Sequence, residues 1–445
     1  MKNLVLIVLV IHQVFFLSGQ NGLNFKEGSV KENIDIKLHS NLIIVPAKVN
    51  GVELNFILDT GATKDIIFSL VGIDSLQMKA GRYISINGYG SEVPINALLT
   101  SGNKVELGNL IIDEEAQFLV VESSEINFAP KLDIQVHGIL GARFLKNLIT
   151  HFDYENELLR IYKDSESFPS YLRNAQSFDL SFENFRPFFN GELDFKNKVR
   201  KLELLIDTGS GDALWVFDEF DSTFELDNSF EDYLGYGMNG AVIGLRTKAN
   251  SLRLLNNTLK KVALSFPYKE YAGSSNDQRQ HNSSLGGEIL RRFDMVINYP
   301  EKKIIMLPNE NFNERFFYNM SGIGVKNGAK ELMYVQEMRA ALRDNYRAVD
   351  NATSSNYIRT NKSYNSYNYR TKIIVDYVRE GSPAALSGVQ VGDQIIAINR
   401  ISEQELTIDK VSELFFKNPY KKLKIRIKRG DNIFKVEIVN IPLVL

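Results

Sequence analysis

The chain of 445 residues has no cysteine. This excludes thiol catalysis, disulfide staples and a lipid-modified cysteine anchor. Histidine is scarce, and none of the five falls in the His-Glu-x-x-His spacing that a zinc hydrolase needs, so no metal site is expected. There is no Gly-x-Ser-x-Gly elbow, and no glycine-rich loop that opens a helix to cradle a phosphate. No cofactor is therefore expected. The formal net charge is only −2, and Lys and Arg are scattered rather than striped. Nothing here marks a nucleic-acid partner or a polybasic membrane surface. Long apolar runs are also missing, apart from one at the very start.

That run follows Lys2, spans 4–17, and gives way to Ser18 and Gly19. The layout is that of a secretory signal over 1–19, removed near Gly19. The competing reading is a membrane anchor. The run is short against the ~20 residues a spanning helix needs, and His12 and Gln13 interrupt it. The expectation is an exported chain, periplasmic or extracellular, without an anchor once the signal is cut. The lack of cysteine leans toward a bacterial envelope.

What remains is of ordinary globular composition, 44% hydrophobic and 24% charged, and long enough for about two to four domains. From about 30 to 308 short apolar runs are broken by Gly, Asn and Asp. "LIIVPAKVNGVELNFIL" reads as two strands around an Asn50-Gly51 turn. The architecture follows from repetition. Asp59-Thr60-Gly61 returns as Asp207-Thr208-Gly209. Gly88-Tyr89-Gly90 returns as Gly235-Tyr236-Gly237, and Leu140-Gly141 as Leu285-Gly286. Landmarks in one order at nearly constant offset predict two copies of a β-rich lobe, over 23–164 and 165–312.

The rest, 313–445, reads differently. "VREGSPAALSGVQVGDQIIAINR" is strand, turn, short helix, tight turn and strand. Ile408, Val411, Leu414 and Phe415 then have helical spacing, and a hairpin follows around Gly430-Asp431. Within this part, 331–346 suits a helix. The stretch 351–370, rich in Asn, Ser, Tyr and Arg, has no period. The segment 328–370 is read as an insertion or linker without assigned structure.

Each Asp-Thr-Gly drives a carboxylate into the end of an apolar strand. One carboxylate in such a setting is costly to ionise. Two brought together share a proton, so one is base while the other is acid. Water held between them can then attack a carbonyl without metal or covalent intermediate. Gly61 and Gly209 allow close backbone approach, and the Thr60 and Thr208 hydroxyls are placed to tie the two loops together. Trp215, in "ALWVF", reads as core packing.

The duplicated "ILDTGAT" and "LIDTGSGDALW", each followed by a Leu-Gly element, resemble aspartic proteases of the pepsin/retropepsin superfamily. The lobes are compact, as in the retropepsin-like branch, and fused in one chain. The resemblance spans about 30–312. It implies a mainly β, two-lobed aspartic-protease fold with Asp59 and Asp207 as catalytic dyad. Thr60, Gly61, Thr208 and Gly209 would support them, and Ile139-Leu140-Gly141 would brace the first loop. Ser284-Leu285-Gly286 departs from that brace, with Ser where an apolar residue is usual, and Asp212 adds a carboxylate near the second loop. Both bear on activity rather than fold. Tyr89, in "YISINGYGSEVPI", is either the tip of a substrate-covering flap or an exposed turn residue. Gly235-Tyr236-Gly237 is a second flap or a structural hairpin.

"GSPAALSGVQVGDQIIAIN" resembles a PDZ domain, an α+β fold, with Arg400 where Gly is frequent. The resemblance implies an extended peptide tail bound as an added strand, with Gly322, Ile323 and Gly324 as the carboxylate loop and edge strand. The alternative is a PDZ fold that only packs on the lobes. The reading is an aspartic endopeptidase acting on peptide or protein substrates. Its rival is a catalytically inactive peptide-binding envelope protein.

Overall fold

The computed structural model describes residues 22–444 except 87–94, 122–128, 218–225, 227, 238–239, 272–281 and 345–356; over 333–344 and 357–368 only the backbone is described. The segment read as a signal, 1–19, and Tyr89 with its turn lie outside the described residues. The protein is mostly β.

In the first lobe, Leu42–Val49 and Val52–Asp59 pair antiparallel around Asn50 and Gly51, whose φ values are 49° and 85°. Positive φ at both turn residues is the demand that Asn-Gly meets most cheaply. The strand Gly138–Gly141 then lies parallel to Val52–Asp59, with Gly141 opposite Asp59. Phe56, Ile57 and Leu58 are buried because the strand has neighbours on both edges and packing on both faces. The second lobe repeats the plan. Arg186–Phe195 pairs antiparallel with Lys198–Ile206, and Ser283–Leu285 runs parallel to the end of the latter, with Leu285 opposite Ile206.

A six-stranded sheet joins the lobes. The first lobe gives it Lys31–Asp35, Leu158–Tyr162 and Ile149–Asp153; the second gives Phe293–Asn298, Lys303–Pro308 and Phe178–Asp179. At its middle Ile149–Asp153 pairs antiparallel with Phe293–Asn298. These strands follow the Leu-Gly elements of the two repeats, so equivalent parts meet across an approximate twofold axis. One hydrophobic core runs through both lobes and includes Phe56, Leu58, Phe152, Leu204, Ile206 and Phe293. Burial of each such side chain is worth about 1.5–3 kcal/mol.

The C-terminal part has its own core, with Ile323, Val375, Ile395, Val411, Phe415 and Ile425. Its helix, Ile408–Phe416, buries Ile408, Val411 and Phe415 as the spacing predicts. Thr407 caps it, accepting from the Lys410 N–H at 3.2 Å. Ser382 caps the short helix Pro383–Leu386 in the same way, which is why "GSPAAL" turns where it does.

The segment 328–370, left without assigned structure, is strand over its described residues. Ile323–Asp344 and Tyr357–Val378 pair antiparallel, in register from Lys330–Thr371 to Asp344–Tyr357. The part of the helix expected over 331–346 that is described, 331–344, is strand instead. A two-stranded ribbon buries little on either face, so its side chains carry only a weak period and hydrophobic periodicity does not report it. Among the described residues, no helix is long and apolar enough to cross a membrane.

Candidate active site

Each Asp-Thr-Gly sits where a buried strand ends, so the lobes set the aspartates facing one another at the bottom of a shared cavity. The loops are locked reciprocally. The Thr60 N–H donates to Thr208 Oγ1 (3.0 Å), and the Thr208 N–H donates to Thr60 Oγ1 (3.1 Å). The Thr60 hydroxyl donates to the Ile206 carbonyl and the Thr208 hydroxyl to the Leu58 carbonyl, both at 2.6 Å. Both threonines are fully buried. Four hydrogen bonds thus cross the axis, and neither loop can complete its bonding alone.

The glycines have a specific reason. A Cβ on Gly61 would lie 2.7 Å from the Asp207 carboxyl carbon, and one on Gly209 would run into the Asp59 carboxyl group. Any side chain at either position would push the carboxylates apart. Each aspartate also accepts from its own loop: Asp59 Oδ1 from the Gly61 and Ala62 N–H groups (2.8 and 2.9 Å), Asp207 Oδ1 from the Gly209 N–H (3.1 Å).

The two carboxyls are not equivalent. Burial, and then the neighbouring Asp207 charge, push the Asp59 carboxyl up to about 8, against the pull of its two backbone donors. Burial also raises Asp207, but its hydrogen bonds draw it back, the Ser284 hydroxyl foremost. Ser284 Oγ donates to Asp207 Oδ2 at 2.8 Å. The matching position of the first lobe is Ile139, which has no donor. The departure from the apolar brace therefore leaves the strand intact and makes Asp207 the easier carboxyl to ionise, with Asp59 keeping the shared proton. Ser284→Ala is expected to move the acid limb of the kcat/KM profile toward neutral pH, because the charged form of Asp207 loses a donor. Ser284→Thr should restore it; an unchanged acid limb in the alanine variant would remove Ser284 from this role.

Other residues have placements the sequence did not reveal. Asp65 lies six positions past Asp59 and accepts from the Gly141 N–H at 2.7 Å, fastening the first loop to its brace. Burial lifts its carboxyl to about 7. Asp212 does not face the dyad. It accepts from Arg246 Nη1 (2.9 Å), Trp215 Nε1 (2.8 Å) and Ser265 Oγ (2.8 Å). Burial works to raise Asp212, yet Arg246 and these donors hold it below the usual carboxylate range. Trp215 is only partly buried and lines the cavity, so its reading as core packing is corrected. An indole that must reach Asp212 cannot turn into the apolar interior.

The cavity has a volume of 1320 Å³ and extends from the dyad to the C-terminal domain. Phe230–Gly237 and Gly240–Lys248 form a hairpin along one wall. Tyr233 and Tyr236 on it line the cavity, and both flank Lys131 of the first lobe, whose Nζ lies 5.0 and 4.9 Å from their ring centres. Lys131 is also paired with Asp376 of the C-terminal domain. Gly322, with φ +80°, makes the turn before the strand Ile323–Val325, whose edge faces the cavity. The Ile323 side chain packs into that domain's core.

A second, wholly buried link joins the C-terminal domain to the second loop. Asp232 accepts from Arg246 Nε and from Arg379 Nη1, each at 3.1 Å. The chain Asp212–Arg246–Asp232–Arg379 therefore runs from just behind Asp207 to the turn at Gly322, whose carbonyl accepts from the Arg379 N–H at 2.8 Å. Asp212 and Arg379 fall in the stretches quoted above, but nothing in the sequence joins them to Arg246 and Asp232. A buried Arg246 in an otherwise alternating strand is the one local hint.

Among curated proteins no match to the chain is found. Residues 45–144 match the family described as Aspartyl protease, and residues 374–429 match the family described as PDZ domain. The first match ends just past Gly141 and covers the Asp59 loop with its brace. The chain thus carries an aspartyl protease-like domain of the pepsin/retropepsin type and, C-terminal to it, a PDZ domain.

Proposed function

We propose that the protein is an aspartic endopeptidase, with Asp59 and Asp207 sharing a proton and a water between them. The observation that carries this reading is the facing pair of carboxyls, locked by Thr60 and Thr208 and made unequal by Ser284. In it Asp207 takes the proton of the water, and Asp59 donates to the carbonyl oxygen of the scissile bond. Asp207 then gives the proton it took to the leaving amine nitrogen, and Asp59 regains a proton from the hydroxyl of the tetrahedral intermediate as its carbonyl re-forms and the C–N bond breaks. Thr60, Gly61, Thr208 and Gly209 hold the geometry. The rival reading, a cleft kept for binding alone, drew on the irregular second brace. Ser284 supports catalysis instead, since it tunes a carboxylate. The setting we propose is outside the cytoplasm, on the N-terminal pattern alone.

The test is digestion of a complex peptide library by the mature chain from acidic to alkaline pH, read by mass spectrometry. New internal termini are expected from mildly acidic to neutral pH, fading as the pH rises through about 8, where the dyad gives up its shared proton. Peptides retained without any new terminus at any pH would overturn the reading.

A further inference from the structure

We propose that one substrate chain occupies both the dyad cleft and the PDZ groove, so that cleavage falls at a set distance from a free, apolar C-terminus; this rests on the hydrolytic reading above. The dyad and both walls of the groove line the same cavity. One wall is the strand Ile323–Val325. It pairs on one side with Val375, Tyr377 and Val378 and is the edge of its sheet; on its other side the Ile323 carbonyl accepts from Asn319 Nδ2 (2.7 Å), a bond that an added strand would replace. The facing wall is the helix Ile408–Phe416, with Ile408, Ser412 and Phe415 on the cavity.

The two ends of this groove differ. At the Gly322 turn, the Gly322 N–H donates to Asn319 Oδ1 and the Ile323 N–H to Ser321 Oγ, both at 3.0 Å. These neutral acceptors hold two backbone donors in place, and a carboxylate that replaced them would gain charge-assisted bonds. Beside the turn, Arg379 is buried over the Phe230 ring, and its Nε and Nη2 lack a hydrogen-bond partner among the described residues. A chain terminus therefore belongs at this end, with its last side chain against Phe415, whose carbonyl accepts from the Met320 N–H beside the turn.

The other end is covered by the first lobe. Asn327 Nδ2 donates to the Leu132 carbonyl (2.9 Å), and Lys326 pairs with Asp376 (2.7 Å). At the start of the helix, Asp409 pairs with His39 (3.0 Å), and its N–H donates to Asp133 (2.9 Å). A peptide running away from the turn meets this barrier past Val325 and turns into the cavity, whose walls continue through Leu38, Asn41 and Gly61 to Asp59. Anchored at one end by its carboxylate, the chain presents a fixed bond to the dyad.

The experiment uses the full mature chain and a peptide drawn from the library cleavage sites, ending in leucine. It is made as the free acid, as the C-terminal amide, and as the acid lengthened by Ala-Leu. The expected result is a single cut in the acid that shifts toward the C-terminus by the added length in the longer peptide. Amidation should raise KM roughly tenfold or more. Ser412→Phe, which fills the groove from the helix side, should raise the acid's KM to that of the amide. A cut that stays at the same sequence whatever the tail, with acid and amide equal, would overturn the anchoring while leaving an aspartic peptidase. Cleavage of none of the peptides by wild type would overturn both.

Discussion

Asp59→Asn is expected to fold and to lose turnover by roughly 10³-fold or more, the scale at which a positioned acid–base group contributes. The asparagine Oδ1 can still accept from the Gly61 and Ala62 N–H groups, so the loop keeps its shape. What goes is the proton that the pair shares. Asp207→Asn should do the same for the opposite reason, since the remaining carboxyl has no ionised partner to take the proton of water. Library digestion by both variants beside wild type reads this directly, and turnover persisting in either would sink the dyad assignment.

A stability measurement tells loss of chemistry from loss of fold. The Asp59 carboxyl is raised from 3.8 to about 8 in the folded chain. The folded state therefore holds a proton that the unfolded state has released between these values. The stabilisation is complete below about pH 4 and is lost as the pH rises through about 8. Asn cannot titrate, so the variant should lack this decline: its melting temperature should fall less than that of wild type between pH 5 and pH 9. The same variant would thus be inactive yet relatively more stable at alkaline pH, which no unfolding defect explains.

The second large effect concerns Asp232. Asp232→Ala leaves Arg246 with Asp212 alone and leaves Arg379 without its carboxylate, both deep in the protein. Removing one partner of a buried ion pair typically costs about 3–5 kcal/mol. A fall in the denaturation midpoint of that order is expected, with the C-terminal domain separating as an earlier transition. Asp232→Leu combined with Arg379→Met should recover much of the loss, because it leaves no orphaned charge on the PDZ side. If the single and double variants are equally unstable, the pairing is not what docks the domain. The network is better read as fixing which way the PDZ domain sits than as a source of net stability, since apolar pairs of the same size serve stability as well.

Much of the fold was legible because its signals are local. Asn50-Gly51 answers a demand for positive φ at adjacent residues, and Ser382-Pro383 answers the demands of a helix start. The helix at Ile408–Phe416 announces itself because one of its faces must be buried. The strand pair over 330–344 and 357–371 did not, since a two-stranded ribbon buries little and constrains side-chain pattern only weakly. Trp215 was misread for a related reason. An apolar stretch shows that a strand is buried, but the direction of one indole depends on Asp212 and on a cavity that exists only after both lobes close.

The sequence by itself determined the duplication, the two Asp-Thr-Gly loops with their Leu-Gly partners, and the C-terminal module. Each of these is a repeated or contiguous pattern imposed by backbone geometry within a few residues. Only the tertiary structure decided that Ser284 reaches Asp207, that Asp232 joins Arg246 to Arg379, and that the groove opens into the dyad's cavity. Those relations link residues 77, 14 and 147 positions apart and an edge strand to another domain's cleft. Hydrogen bonds and charges act over a few ångströms of space, and distance along the chain does not specify which groups the packed lobes bring within that reach.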